Sequence, residues 1–127
     1  MNQMFVVALG AGIGGVFRLL VTQLVATRFG ASVSFLATIF INVSGSFLIG
    51  AVLETAQLRA NIDPLWRSFL ATGILGGFTT FSTFSYEALG LASSATPTMA
   101  AYYVVASVGL GIIGSFAGIA TARTLLR

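Results

Sequence analysis

The residues of this sequence best suited to chemistry are neutral ones. The run Thr79-Thr80-Phe81-Ser82-Thr83-Phe84-Ser85 puts five hydroxyls and two phenyl rings into seven positions. Phe81 and Phe84, three apart, share one face of a helix. An aromatic ring has a positive edge, so rings turned edge-on meet an anion without supplying a charge. The neighbouring hydroxyls of Thr80, Ser82, Thr83 and Ser85 add hydrogen-bond donors. Lipid-facing or core packing produces the same Phe spacing, and spacing alone leaves both readings open.

Immediately upstream stands Gly76-Gly77-Phe78. A glycine pair followed by two threonines is a poor sequence for continuous helix. A break there frees carbonyls of the first half-helix and amides of the second, and inside a bilayer such groups must find partners or line a cavity. Broken helices of this kind mark ion sites, with carbonyl ends turned to cations and amide ends to anions. The competing reading is a kinked helix in which Gly and Thr merely pack closely.

Polar side chains recur at spacing four elsewhere. Thr38 and Asn42 fall on one helical face, as do Tyr103, Ser107 and Ser115, with Gly111 completing the second series. Ser and Thr can satisfy themselves on their own helix backbone, whereas the amide of Asn42 requires a partner. Three polar stripes suggest a narrow, neutral track rich in donors. Arg18 is the one charge well inside an apolar stretch, where a central Arg costs roughly 2.5–3.5 kcal/mol. It either snorkels to the nearer interface or lines a water-filled vestibule that attracts anions.

One motif misleads. Gly10-Ala11-Gly12-Ile13-Gly14-Gly15 satisfies G-x-G-x-x-G, yet no acidic residue follows about 20 positions on and the segment is apolar. Gly10/Gly14 and Ala11/Gly15 read better as small-xxx-small packing pairs, a pattern repeated at Gly114/Gly118.

The elements that must position these residues follow from composition. Of 127 residues, 57% are hydrophobic and 7% charged, with a mean hydropathy of +1.00. A soluble domain carries about 25% charged residues, so this chain cannot build a water-facing surface. Residues 1–17, 29–53, 68–86 and 88–122 contain no Asp, Glu, Lys or Arg. A spanning helix needs roughly 20 apolar residues, and the windows predict four spans at about 4–26, 33–54, 65–91 and 98–122, the third broken mid-membrane. The whole chain, 1–127, forms one all-α transmembrane domain. Asp63-Pro64 and Thr96-Pro97 each place a capping side chain before a helix-starting proline. The apolar start lacks a basic region and a cleavage site, and is read as a retained helix.

With no Cys and no His, disulfide, thiolate, zinc-cluster and imidazole chemistry fall away. The net charge of +3 is explained by arginines at membrane edges, and no nucleic-acid partner is expected. Arg59, Arg67, Arg123 and Arg127 share a side with both termini, while Arg28 stands on the other, so the positive-inside rule favours cytoplasmic termini.

Taken together, Gly76-Gly77-Phe78-Thr79-Thr80-Phe81-Ser82-Thr83-Phe84-Ser85 with Glu87, Gly14-Gly15-Val16-Phe17-Arg18, and Asn42-Val43-Ser44-Gly45-Ser46 resemble the Fluc (CrcB-type) fluoride channel family over nearly the full length. The resemblance implies an antiparallel, dual-topology homodimer with two pores, multi-pass in the cell (inner) membrane, that passively exports fluoride and is not an enzyme. It implies that Phe81 and Phe84 form a box of ring edges around fluoride. Asn42 becomes a pore-lining amide, with Thr38, Tyr103 and Ser107 as the polar track, and Arg18 a vestibule cation. It also implies a central sodium ion held by the backbone carbonyls of Gly76 and Thr79 from each subunit. Gly111 departs from the pattern, since relatives can carry Ser there, and the arginine bias sits awkwardly with dual topology. The alternative reading is a small dual-topology, proton-coupled multidrug antiporter, which needs a titratable carboxylate deep in the bundle. Glu54 and Glu87 lie toward span ends. A purely structural membrane subunit is the third reading.

Overall fold

The computed structural model describes residues 2–59 and 61–126, and these are helical almost throughout. Helix α1 (Gln3–Phe29) is capped by the Asn2 side chain, which accepts from the Met4 N–H at 3.1 Å, and ends at Gly30. Gly30 adopts φ 91°, a left-handed conformation that favours glycine and turns the chain back. A single 3₁₀ turn, Ala31–Val33, leads into α2 (Ser34–Leu58). The third traverse comprises α3 (Pro64–Arg67), a π-helix (Ser68–Leu75), α4 (Gly76–Phe78) and α5 (Phe81–Ser94). Helix α6 (Pro97–Leu126) completes the bundle. The expected capping holds at both prolines: Asp63 accepts from the Leu65 N–H at 2.8 Å, and Thr96 accepts from the Met99 N–H at 3.1 Å.

Helices α1, α2 with its preceding 3₁₀ turn, and α6 are each long and apolar enough to cross a membrane. The third traverse is apolar too, but interrupted. Helical segments overlie all four expected stretches and extend beyond the expected bounds of about 4–26, 33–54, 65–91 and 98–122. Arg28 stays inside α1, and α2 continues past Glu54. Helix ends tolerate charged residues that reach the headgroups, which is why the helices run past the expected bounds. Arg127, counted above in the charge balance, lies outside the described residues.

The interior is built from small residues and the exterior from large ones. Gly10, Gly14, Ala37, Gly45, Gly114, Gly118 and Ala122 are buried, while Phe5, Phe17, Leu20, Phe40 and Phe116 are exposed. This inversion follows from the solvent. Lipid tails are as apolar as Leu, so helices associate through close backbone approach. Helix α1 crosses the π-helix and α4, and α2 packs along α6. A Cβ at Gly10 would lie 2.7 Å from the Phe69 carbonyl oxygen, and one at Gly14 would collide with the Ile74 carbonyl and stand 2.8 Å from the Phe78 nitrogen. Gly114 and Gly118 meet the α2 backbone at Val43 and Phe47. The small-xxx-small reading holds for Gly10/Gly14 and Gly114/Gly118. In the second pair Ala11 packs on Gly77, but Gly15 faces open space.

The π-helix has no counterpart among the expected elements. The wider coil lies against α1 at the Gly10–Gly73 crossing, where a Cβ added to Gly73 would sit 3.0 Å from the Gly10 Cα.

Gly14→Ala is expected to destabilise the fold by about 1–3 kcal/mol through overpacking, read as a lower thermal-unfolding midpoint in detergent. Gly12→Ala, with nothing within 4 Å of its added methyl, is expected to leave the midpoint unchanged.

Candidate functional site

The third traverse breaks at Thr79–Thr80, where both residues take extended conformations (φ −76°, ψ 157° and φ −150°, ψ 118°). The break falls at the threonine end of the expected Gly76-Gly77-Phe78-Thr79-Thr80 stretch, and Gly76 is helical (φ −65°, ψ −36°). Gly77 serves close approach instead, since a Cβ there would meet the Ala11 backbone. The threonines make the break because their side chains and neighbours satisfy the backbone groups it frees. Thr80 is the N-cap of α5, its hydroxyl accepting from the Thr83 N–H at 3.2 Å and donating to Thr83 Oγ1 at 3.1 Å. Ser82 Oγ lies 3.3 Å from Thr80 Oγ1. The Thr79 hydroxyl donates to the Leu75 carbonyl at 2.9 Å.

Asn42 finds its partner here. Its Oδ1 accepts from the Thr80 N–H at 2.8 Å, and its Nδ2 donates to the Thr80 carbonyl at 3.0 Å. One side-chain amide thus completes both backbone groups of one residue, as a strand neighbour would. The clasp diverts the Thr80 N–H, which in an unbroken helix would bond to the Gly76 carbonyl. Arg18 does not simply snorkel. Its Nη1 reaches the Thr79 carbonyl at 3.4 Å, so the guanidinium touches the break from α1.

A groove of 440 Å³ opens between α2, the break and α6. Of the expected residues it brings together Asn42, Thr79, Thr80, Phe81, Phe84 and Ser107, and among the described residues no formally charged side chain lines it. The two phenyl rings touch, with centroids 5.6 Å apart and planes at 47°. Their surroundings differ: Phe84 is 8% exposed and Phe81 79%. Phe84 also stacks toward Tyr103 at 5.3 Å, and Tyr103 meets Phe35 edge-on at 5.8 Å. Thr38 and Tyr103 are buried beside one another, Tyr103 against Phe84, and neither is in the groove lining. Ser82, Thr83, Gly76 and Arg18 also lie outside its lining.

Most hydroxyls near the break are already spent, but Ser107 is not. Its Oγ is buried and has no hydrogen-bond partner among the described residues. An unmet buried hydroxyl costs about 1–3 kcal/mol, so a polar guest is favoured beside it. The Asn42 amide likewise keeps one of its two N–H donors beyond the bond to Thr80.

Two functional neighbours escaped sequence reasoning. Tyr103 donates its phenolic hydrogen to Glu87 Oε2 at 2.7 Å. Helices α5 and α6 form a tight hairpin, and residues 87 and 103 stand eight positions either side of Ala95; the equal distances were a signal for their meeting. Ser46 also lines the groove.

The acidic residues bear on the antiporter alternative. Glu54 is buried and bonded to Arg123 Nε at 2.7 Å, Glu87 accepts from Tyr103, and Asp63 caps α3. All three acids of the sequence are engaged, leaving no unpartnered carboxylate for proton coupling.

Fold and site together define a multi-pass membrane protein whose neutral polar groove lies at a break in its third traverse. The chain belongs to the CrcB family: residues 5–119 match the family model described as CrcB-like protein, Camphor Resistance (CrcB). It is similar to the fluoride-specific ion channel FluC of Granulibacter bethesdensis, at 48% identity over 100% of this chain and 99% of that protein. The same-named protein of Rhizobium meliloti is 40% identical over 99% of this chain and 100% of its own length. That of Roseiflexus sp. is 44% identical over 94% and 95%. These relatives are named as ion channels, a class without enzymatic activity.

Asn42→Ala removes both bonds to Thr80 and leaves a buried donor and acceptor unpaired. The expected loss is about 2–4 kcal/mol, measured as chemical or thermal unfolding in detergent; a change below about 0.5 kcal/mol would contradict the clasp.

Proposed function

We propose that this chain is a fluoride-selective channel of the cell (inner) membrane that lets fluoride leave passively and so limits its toxicity in the cytoplasm. The observation that carries the reading is the groove at the break, lined by Phe81, Phe84 and the unmet Ser107 donor, with no charged residue among its described lining. The likeness to fluoride-specific channels over the whole chain supports the choice of ion.

Fluoride is small and strongly hydrated, and taking such an ion into low dielectric costs on the order of 20 kcal/mol in an idealised estimate. The groove offsets this cost with donors rather than with a countercharge, which would trap the ion. Ser107 gives its hydroxyl hydrogen and Asn42 its second amide hydrogen. Phe81 and Phe84 turn positive ring edges to the ion. Tyr103 and Thr38 back the Phe84 ring and extend the polar track, Tyr103 releasing its hydrogen from Glu87 when it serves as donor. Thr80, Ser82 and Thr83 hold the α5 N-terminus in place at the groove, and Arg18 attracts anions toward the break. A narrow, preformed track excludes the larger chloride.

In this reading the working unit is an antiparallel, dual-topology homodimer surrounded by lipid. One side of the groove is open, and Phe81, Tyr86 and Leu89 form an exposed apolar face on α5, which a second copy covers. The same break is where we place the sodium ion of this reading. The Gly76 carbonyl has lost its helical donor to Asn42, and the Thr79 carbonyl keeps a lone pair beyond its long contact with Arg18. Backbone carbonyls suit a hard cation, and two such pairs, one from each subunit, would hold sodium as a structural brace.

Reconstituted into liposomes, the protein is expected to release fluoride and retain chloride. Phe81→Ile and Phe84→Ile are each expected to slow fluoride efflux by about tenfold or more, equivalent to about 1.4 kcal/mol of barrier, with dimer assembly intact by size exclusion. Full efflux in both variants would remove the rings from the mechanism, and a wild-type protein that releases no fluoride would overturn the function.

A further inference from the structure

The hydroxyl stripe on α6 has a gap. Ser107 and Ser115 stand two turns apart on the groove side, and the turn between them presents Gly111, which has no side chain. Ser115 has no hydrogen to offer, because it donates to the Ser46 carbonyl at 3.1 Å. Read along α6 alone, the donors stop at Ser107.

The opposite wall fills the gap. A Cβ built on Gly111 would lie 3.6 Å from Ser46 Oγ, so the α2 hydroxyl occupies the space facing the bare backbone. Ser46 also behaves unlike its neighbour. Ser44 returns its hydrogen to the Phe40 carbonyl at 2.6 Å, whereas among the described residues Ser46 Oγ makes no hydrogen bond. Of the five hydroxyls lining the groove, Thr79, Thr80 and Ser115 are spent on protein acceptors, leaving Ser46 and Ser107. The second of these is more than nine-tenths buried and unpartnered.

We propose that Ser46 supplies the hydroxyl missing at Gly111, so that Ser46 and Ser107 form a subsite for a small, strongly hydrated anion beyond the aromatic pair. The proposal rests on the fluoride-channel reading and adds the next step on the ion's path. Two neutral donors from different helices replace part of the hydration shell. The Ser46 backbone carbonyl, which anchors Ser115, is independent of the side chain, so the hydroxyl can be removed without undoing that contact.

The test is fluoride efflux from liposomes containing full-length protein, with wild type and Ser44→Ala as references. Ser46→Ala is expected to slow efflux about tenfold or more, the effect of losing one hydrogen bond to a charged group. Ser46→Ala combined with Gly111→Ser is expected to recover most of the wild-type rate, since the new side chain enters the same space. Full efflux in Ser46→Ala overturns the subsite, and a slow double variant overturns the replacement of one hydroxyl by the other. Should Ser46→Ala fail to assemble, Ser46→Cys, similar in shape but a weak donor, is expected to assemble and conduct slowly; normal flux there overturns the proposal. Wild-type protein without fluoride efflux is a separate failure, that of the channel reading itself.

Discussion

The rest of this structure depends on how a broken helix is made tolerable inside a bilayer. Ending one helix and starting another at membrane depth frees backbone groups that water cannot reach, each costing several kcal/mol if left bare. The Asn42 amide meets the N–H and the carbonyl of Thr80 at 2.8 and 3.0 Å. The Thr80 hydroxyl then caps α5 from within the break. Only because these groups are satisfied can Phe81 and Phe84 leave the line of the preceding helix and meet the groove. An unbroken third traverse would carry both rings round to other directions and return the Gly76 carbonyl to its helical bond.

The packing that surrounds the break follows from the same solvent. Apolar side chains gain nothing from hiding in a protein interior when lipid is equally apolar. Glycines at 10, 14, 73 and 77 therefore bring α1 and the third traverse into backbone contact, glycines at 50, 114 and 118 do so between α2 and α6, and Gly45 makes room for the Thr79 side chain. Close approach leaves little space except where polar groups need it. The groove is that exception, and its wall carries no formal charge. Charges sit around it already occupied: Glu87 on Tyr103, Arg18 on the Thr79 carbonyl, and Glu54 on Arg123 at the far end of α2.

Much of this was legible in the sequence, for identifiable reasons. Charge-free windows located the spans because a bilayer punishes charge wherever it falls. The proline-linked caps at Asp63 and Thr96 were legible because capping is local. The break was legible as a region but not as a residue. Gly76-Gly77 followed by Thr79-Thr80 marked the stretch; within it the glycines stay helical, Gly77 against Ala11, and the threonines carry the extended backbone. The Asn42 clasp joins positions 38 apart in the chain, and no pattern in one sequence encodes that pairing. The π-helix at Ser68–Leu75 was illegible too, since nothing in the run SFLATGIL sets it apart from ordinary apolar helix. Thr38 and Tyr103 matched the polar stripe by spacing, yet are buried together outside the groove lining, because a helical period fixes a face and not a depth.

The most direct measurement is solid-state NMR of the isotope-labelled protein in lipid bilayers, reading the backbone carbon shifts of Thr79 and Thr80 and the cross-peak between Asn42 Nδ2 and the Thr80 carbonyl. Extended-type shifts at both threonines together with that cross-peak are the expected result. Helical shifts running continuously from Gly76 through Phe84, with the Asn42 amide remote from Thr80, would contradict the account at its root.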